Sequence, residues 1–152
     1  MQIELRPATI IDMPFIYDVT EASMRAYVEQ TFGPWVPEFQ REIIDGSFDP
    51  TTHHIIVVGG KAAGVLASQT FDTHIQLEKL YLSPDFQGRG IGTRLVQGLV
   101  ASATELSKPI RLRVLTANTA AQRFYARLGF VVAHATPERV FMERDARPMP
   151  RA

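Results

Sequence analysis

Residues 2–47 combine one alternating segment with two helical patterns. Polar and apolar residues alternate over residues 2–6, which predicts a short strand. After Asp12, a candidate helix N-cap, apolar residues recur at helical spacing as far as Tyr27, and residues 38–44 predict a second short helix. The chain is therefore expected to open with a strand and two helices.

From there on, the hydrophobic period changes to that of strands. The β-branched run at residues 53–58, a Gly-Gly turn and two further runs at residues 62–71 and 74–83 predict an antiparallel meander. Helical patterns follow at residues 91–106 and 119–128, with strands at 110–115, 130–135 and 140–143. This order predicts an α/β fold, a single domain over residues 1–145 with a mixed, mostly antiparallel sheet flanked by helices. A flexible Pro- and Arg-rich tail is expected over residues 146–152.

Composition and charge narrow the class of partner. The chain has 152 residues, 45% of them hydrophobic, and its 16 basic and 16 acidic side chains give a formal net charge of zero. Tight non-specific binding to nucleic acid or to an anionic membrane needs a basic surplus, so we expect neither partner. No apolar run reaches the roughly 18 residues of a membrane span, and the N-terminus lacks a signal-peptide core, so we expect a cytoplasmic protein.

The absence of cysteine removes several chemistries. Without cysteine there is no disulfide, no thiol nucleophile and no thiolate metal site. Adjacent His53 and His54 lie in a strand-like run, where neighbours point to opposite faces, and no HExxH or EF-hand pattern occurs. We therefore expect no metal.

Three alternating glycines occur between the strand at residues 74–83 and the next helix. Gly88, Gly90 and Gly92 lack Cβ atoms, so the backbone can bend sharply and approach a ligand closely. Unpaired N–H groups at the helix start favour an anion such as pyrophosphate. In the alternative interpretation the glycines serve only the turn. No Gly-Lys-Ser/Thr follows, as a Walker loop would require, and no acidic residue ends the next strand, as in a dinucleotide fingerprint.

Two segments about 30 residues apart resemble the GNAT superfamily of acyl-CoA-dependent N-acetyltransferases. The run QGRGIG from Gln87 resembles its Gln/Arg-x-x-Gly-x-Gly/Ala signature, and the segment from Asn118 to Phe130 resembles its N-x-x-A-x-x-F-Y-x-x-L-G-F helix. The resemblance covers about residues 56–143. It implies the GNAT fold and an enzyme that uses acetyl-CoA as its cosubstrate. The acetyl group would move to a primary amine by direct attack, without a covalent enzyme intermediate.

The resemblance also implies which residues would bind the cofactor. The backbone of Leu80 and Leu82 would pair with the pantetheine arm, like a strand added to a sheet edge. Loop amides would hold the pyrophosphate, namely those of Gln87, Gly88, Gly90, Gly92 and Thr93. Asn118 would bind the pantetheine or phosphate region, although a plain helix N-cap explains it equally well. Arg89 would contact phosphate or remain a solvated surface residue.

Acetyl transfer needs an acid for the departing thiolate and a base for the amine. The resemblance assigns the acid to Tyr125, for which helix packing is the alternative. Glu78 shares a strand face with Leu80 and Leu82 by alternation, so it is the candidate base. In the alternative interpretation Glu78 is a surface carboxylate or is paired with Arg113 in a salt bridge, and ordered water is the base. The oxyanion donor would be a backbone N–H near Leu80.

The first two helices are the candidate acceptor site. Tyr27 and Trp35 lie near Glu21, Glu29, Glu38 and Glu42, and aromatic rings with carboxylates suit a cationic amine. Core packing is the alternative for the aromatic residues. The acceptor would be a small molecule, an amino acid derivative or a peptide amine, and a homodimer is compatible with the sequence. Two other functions stay open: a non-catalytic acyl-CoA-binding regulatory module, and a subunit that modifies the N-terminus of a ribosomal or other protein.

Overall fold

The computed structural model describes residues 1–151. Its strands are β1 (Ile3–Pro7), β2 (His53–Val58), β3 (Lys61–Thr70), β4 (Ile75–Leu82), β5 (Ile110–Leu115), β6 (Val131–Ala135) and β7 (Arg139–Arg144). Its α-helices are α1 (Met13–Phe32), α2 (Pro37–Ser47), α3 (Ile91–Leu106) and α4 (Thr119–Arg127). The strands form one sheet in the order β1-β2-β3-β4-β5-β7-β6, in which β4 and β5 are parallel. The predicted element order and the mixed, mostly antiparallel α/β fold are confirmed.

The start of α1 differs from the predicted N-cap. Asp12 stands at the cap position, but its carboxylate makes no bond to the helix amides. Instead it accepts the Thr9 N–H at 2.8 Å and both Nη groups of Arg6 at 2.8 and 2.9 Å. The Arg6 hydrogen bond, followed by the Thr9 contact, lowers the pKa of Asp12 despite partial desolvation. The Asp12 carboxylate therefore forms a bidentate pair with the Arg6 guanidinium instead of capping α1.

The chain divides into two compact units. The first contains Met1–Ser68 and Lys79–Arg89, and the second contains Gln69–Glu78 and the chain from Gly90 onward. The core of the first unit is formed by buried residues of its helices and strands: Ala8, Ile16, Tyr17, Val19, Trp35, Ile44, Ile55 and Val65. Burial of these apolar side chains is the main stabilising contribution to the unit.

The second unit has its own buried side chains and its own strand ladder. Its buried residues include Ile75, Leu77, Ile91, Val96, Val100, Ile110, Leu112, Tyr125, Leu128, Phe130, Val140 and Met142. The parallel ladder between β4 and β5 contains two pairs, Ile75 with Ile110 and Gln76 with Arg111. β5 pairs with β7 over six positions, and β6 forms the outer strand beside β7. Among residues 1–151, no helix is both long and apolar enough to cross a membrane.

Candidate functional site

The glycine loop leaves β4 through a 3₁₀ turn at Pro84–Phe86. Gly88 and Gly90 then adopt φ angles of +73° and +77°, in the left-handed region that favours glycine. A Cβ atom at either position would have no heavy atom within 4 Å. Backbone conformation, rather than crowding by the protein, therefore requires glycine here, and the space beside both residues is open.

Several backbone amides of this loop have no protein acceptor. The Gln87 N–H donates to the Pro84 oxygen at 3.2 Å, and the next such bond runs from the Arg94 N–H to the Gly90 oxygen at 3.1 Å. Within residues 1–151, the amides from Gly88 to Thr93 donate to no backbone oxygen. They stand at the positive end of the α3 dipole, so this turn is chemically suited to bind an anion.

Gly92 has a different role from the other two glycines. A Cβ atom on Gly92 would lie 3.3 Å from Cζ of Phe124, a residue of α4. This separation is tighter than ordinary van der Waals contact, so glycine lets α3 and α4 pack closely. The alternating glycines thus serve two purposes, since the first two set the turn and Gly92 sets a helix contact.

Two loop side chains make contacts that hold the turn. The Gln87 side-chain amide donates to the Leu82 oxygen at 2.9 Å, which ties the loop back to the end of β4. Arg89 is exposed, and its guanidinium carbon lies 5.4 Å from the centre of the Phe86 ring. Neither contact occupies the loop amides.

Gly64, which was not among the predicted site residues, positions the end of β4. A Cβ atom on Gly64 would collide with the Tyr81 carbonyl oxygen and lie 3.1 Å from Cα of Leu82. The two strands therefore approach at a distance that only glycine permits. An isolated glycine within a strand pattern is the signal that could have found it. Leu80 and Leu82 are half-buried and lie beyond the two pairs that join β4 to β5.

Asn118 is the N-cap of α4, and its capping interpretation is confirmed. Its side-chain oxygen accepts the Ala121 N–H at 3.1 Å. Its side-chain NH₂ group makes no hydrogen bond within residues 1–151. Asn118 can therefore cap the helix and still donate to a ligand.

Tyr125 is held rigidly by aromatic contacts. The residue is 8% exposed, and its ring meets the Phe124 ring at 5.0 Å and 70° and the Phe130 ring at 5.4 Å and 66°. Both geometries are edge-to-face, an arrangement that aromatic pairs favour. The packing fixes the ring and so fixes the direction of its hydroxyl.

Glu78 is exposed on β4 and forms no ion pair within residues 1–151. The proposed alternative partner, Arg113, is not engaged with it. The neighbouring cation on β5, Arg111, instead lies 3.3 Å from the Glu143 carboxylate, its register partner on β7. The Glu78 carboxylate is thus an exposed group without an ion-pair partner among the described residues.

Of the two candidate acceptor residues of the first unit, Trp35 is buried and Tyr27 is only half-buried. Trp35 is 5% exposed, and its indole N–H donates to the Tyr17 hydroxyl at 3.0 Å. The guanidinium of Arg41 lies 4.7 Å from the centre of the Tyr17 ring. Tyr27 is half-buried on α1. Trp35 is therefore part of the core of the first unit, whereas Tyr27 retains an accessible surface.

Two of the four candidate glutamates are already paired. Arg25 lies 2.8 Å from the Glu21 carboxylate and 3.6 Å from the Glu29 carboxylate, both one helical turn away on α1. Exposed pairs of this kind are worth only about 0.3–0.5 kcal/mol. Glu38 and Glu42 are the two candidate carboxylates that form no ion pair within residues 1–151.

Residues 1–151 contain no group of three side chains suited to hold a metal ion.

Comparison with known proteins identifies the family of the chain. A family model described as "Acetyltransferase (GNAT) family" matches residues 16–130. An uncharacterised N-acetyltransferase of Mycobacterium bovis is 37% identical over 62 residues, which are 40% of this chain and 40% of that protein. Another, from Methanocaldococcus jannaschii, is 39% identical over 56 residues, 36% of this chain and 25% of that protein. The matched segments thus span between a quarter and two-fifths of those relatives.

Solved structures share the fold over nearly the whole chain. The PaiA N-acetyltransferase of Thermoplasma acidophilum, solved in complex with coenzyme A, superposes with a TM-score of 0.74 at 19% identity, covering 95% of this chain and 99% of that one. The ribosomal-protein-S18-alanine N-acetyltransferase of Escherichia coli gives a TM-score of 0.70 at 19% identity, covering 98% and 96%. At these identities the likeness establishes the fold.

Proposed function

Because this chain belongs to the GNAT family of acetyltransferases, we propose that it transfers the acetyl group of acetyl-CoA to a primary amine by direct attack. The observation that carries the proposal is the glycine loop, whose amides from Gly88 to Thr93 have no backbone acceptor within residues 1–151. These donors fit a pyrophosphate, and the PaiA protein of the same fold was solved with coenzyme A.

The cofactor would be held mainly by backbone groups. The loop amides from Gly88 to Thr93 would bind the pyrophosphate, whereas the Gln87 N–H predicted to join them already donates to the Pro84 oxygen. The backbone groups of Leu80 and Leu82, beyond the β4–β5 pairs, would hydrogen-bond to the pantetheine arm. The side-chain NH₂ of Asn118 would donate to the same region, while Arg89 would add charge at the phosphates.

Acetyl-CoA supplies an activated thioester carbonyl when bound. The amine nitrogen would form the new C–N bond to that carbonyl carbon as the C–S bond breaks. Glu78 or a water molecule would take the proton from the amine, and the Tyr125 hydroxyl would donate a proton to the departing sulfur. A backbone N–H near Leu80 would stabilise the oxyanion. The rigid Tyr125 ring supports its part in this scheme, since an acid must be positioned before it can help.

The acceptor would be the primary amine of a small molecule, an amino acid derivative or a peptide. The unpaired carboxylates of Glu38 and Glu42 would attract an ammonium group. Tyr27 would contact the acceptor directly, and the buried Trp35 would act through its packing on Tyr17.

The proposal is tested by combining a binding and a turnover assay. A ligand that binds only the folded state raises its stability by mass action, so acetyl-CoA should raise the melting temperature. Thiol release should then appear with at least one member of a panel of amines and peptides, and mass spectrometry should show a gain of one acetyl group on that amine. A melting shift without turnover across the panel would favour the non-catalytic acyl-CoA-binding module, and no shift would remove the cofactor assignment.

A further inference from the structure

Arg144, the last residue of β7, is a buried cation surrounded by carbonyl groups. It is 2% exposed, and its Nε donates to the Leu128 oxygen at 2.8 Å. Its Nη1 donates to the oxygens of Asp145 at 3.2 Å and Arg147 at 2.5 Å, and its Nη2 lies 3.5 Å from the Pro148 oxygen. No carboxylate within residues 1–151 lies at ion-pair distance from it.

A buried cation without a counter-ion is destabilising unless its donors are satisfied. Burial is the main reason why the pKa of Arg144 is lowered, with the charge of Arg147 as the second reason. Here the fixed fork of the guanidinium reaches carbonyls on two different segments, which a lysine could not match. Arg144 therefore joins the segments that supply those carbonyls.

One of those segments is the end of α4. Leu128 is the C-cap residue of this helix, where unsatisfied carbonyls carry the negative end of the helix dipole. The Leu128 and Phe130 amides both donate to the Tyr125 oxygen, at 3.0 and 3.1 Å. The bond from Arg144 thus falls on a turn that sends two amide hydrogen bonds to the backbone oxygen of Tyr125 and a third, from the Gly129 N–H, to the Ala126 oxygen at 3.1 Å.

The turn is also closed against the arginine side chains. Gly129 has a φ of +95°, and a Cβ atom there would lie 2.9 Å from Nε of Arg144 and 2.8 Å from an Nη of Arg147. The same Nη of Arg147 donates to the Gly129 oxygen at 3.3 Å. The two arginines therefore occupy the space that a side chain at this position would need.

The other segment is residues 145–149, here called the clasp. Pro148 and Met149 line a pocket together with Gln97, Val100, Ala101 and Thr104 of α3. The clasp thus supplies carbonyls to Arg144 and lines one pocket together with α3, and all of it except Asp145 lies in the predicted flexible tail.

We propose that Arg144 is a positioning residue for catalysis: it joins the clasp to the end of α4 and so fixes the place of Tyr125. The inference rests on the proposed function, because it takes Tyr125 as the acid. It predicts that the guanidinium matters to the rate through Tyr125 and not through cofactor binding.

The test compares Arg144→Lys with Arg127→Met as the matched control. Arg127 is an exposed arginine at the same end of α4, outside every contact described above. Arg144→Lys should lower kcat about 10- to 100-fold, the range for a reacting group displaced by about 1 Å, with KM for acetyl-CoA unchanged. Arg127→Met should stay within about twofold of the parent. In a Tyr125→Phe background, Arg144→Lys should cost little more, because the group it positions is already gone.

An equal loss of kcat with and without the Tyr125 hydroxyl would overturn the proposal, as would an unchanged kcat. Hydrogen exchange supplies a readout that needs no turnover. Arg144→Lys, but not Arg127→Met, should speed exchange at the amides of Leu128, Gly129 and Phe130 and within the clasp. If exchange becomes faster but the parent protein has no acetyltransferase activity, only the proposed function is contradicted. Unchanged exchange would contradict the proposal that Arg144 joins the clasp to the end of α4.

If Arg144→Lys does not fold, Gly129→Ala replaces it. Its Cβ would lie 2.9 Å from Nε of Arg144, so the guanidinium must shift from its place at the Leu128 oxygen while its charge is kept. It should raise exchange at the same turn and lower kcat by a smaller factor than expected for Arg144→Lys. Unchanged exchange and kcat in this variant would overturn the proposal.

Discussion

The glycine loop and the α1–α2 region use their polar groups in opposite ways. In the loop, the amides from Gly88 to Thr93 donate to no backbone oxygen within residues 1–151. In α1–α2, two candidate glutamates pair with Arg25, and Trp35 donates to Tyr17. The loop presents unused donors on a fixed backbone, whereas much of α1–α2 is organised around its own core. We therefore expect substitutions in the glycine loop and at Tyr125 to impair cofactor binding or kcat much more than substitutions in α1–α2 impair binding of the acceptor amine.

The largest expected effect is that of Tyr125→Phe. The change keeps the ring and its contacts with Phe124 and Phe130, so the protein should still fold. If the hydroxyl protonates the departing thiolate, kcat should fall by about 10²–10⁴-fold, the range for a positioned acid. The Kd of acetyl-CoA should stay the same, because the contact matters in the transition state. A weaker Kd with an intact kcat would make Tyr125 a binding residue.

The next effect concerns the loop backbone. Gly90→Asp places a carboxylate and a Cβ at a φ of +77°, beside the amides proposed to bind pyrophosphate. The strain costs about 1–2 kcal/mol, and the melting shift caused by acetyl-CoA should disappear.

Gly98→Ala in the same helix is the matched control for Gly90→Asp. Gly98 lies within α3, and a Cβ there would have no heavy atom within 4 Å. Alanine should stabilise the fold by about 0.5–1 kcal/mol and leave the ligand shift intact. If both variants lost the melting shift caused by acetyl-CoA, the effect of Gly90→Asp could not be assigned to the pyrophosphate site.

A smaller effect is expected from His53, which is 2% exposed and has an unpartnered Nε2. Burial, followed by the charge of Lys79, lowers the pKa of His53 in the folded protein. Because His53 binds a proton more tightly in the unfolded chain, the neutral side chain contributes fully to the free energy of unfolding above pH 6.5. That contribution is lost as the pH falls through the pKa of His53 in the folded protein.

The pH dependence of unfolding checks this account of His53. His53→Asn should flatten the fall in the free energy of unfolding between pH 7.5 and pH 5, by about 1.4 kcal/mol for each unit by which the pKa is lowered. His54→Asn, at the neighbouring and half-buried strand position, is the matched control. A parent protein that is equally stable at both pH values would refute the prediction.

The smallest effects should come from the acceptor region. Glu38→Gln and Glu42→Gln remove carboxylates that lack an internal cation, so KM for a cationic acceptor should rise about two- to fivefold, consistent with an exposed charge pair. Glu21→Gln should have less effect, because that carboxylate already pairs with Arg25. Equal effects of all three substitutions would contradict the distinction between paired and unpaired glutamates.

Local patterns predicted the elements well, because burial along a strand or helix repeats with a fixed period. The strand runs at residues 53–58 and 110–115 match β2 and β5. Side-chain partners were harder, since they depend on register between distant segments. The Arg111–Glu143 pair follows from the β5–β7 register, and no local pattern favours Arg111 over Arg113 as the bridging cation.

The candidate site divides along the same line. The sharp turn at Gly88 and Gly90 could be predicted, because alternating glycines between a strand and a helix indicate such a backbone directly. The close contact of Gly64 with Tyr81 and the buried position of Arg144 could not, because each depends on a neighbour that only the folded chain brings near.

The most direct test is a calorimetric titration with acetyl-CoA and with S-acetylpantetheine, which lacks the pyrophosphate together with the phosphoadenosine attached to it. The parent protein should bind acetyl-CoA at least tenfold more tightly than S-acetylpantetheine, a difference of about 1.4 kcal/mol or more. Gly90→Asp should bind the two compounds alike, and Gly98→Ala should keep the difference. Equal affinities of the parent protein for the two compounds would contradict the assignment of the glycine loop as the pyrophosphate site.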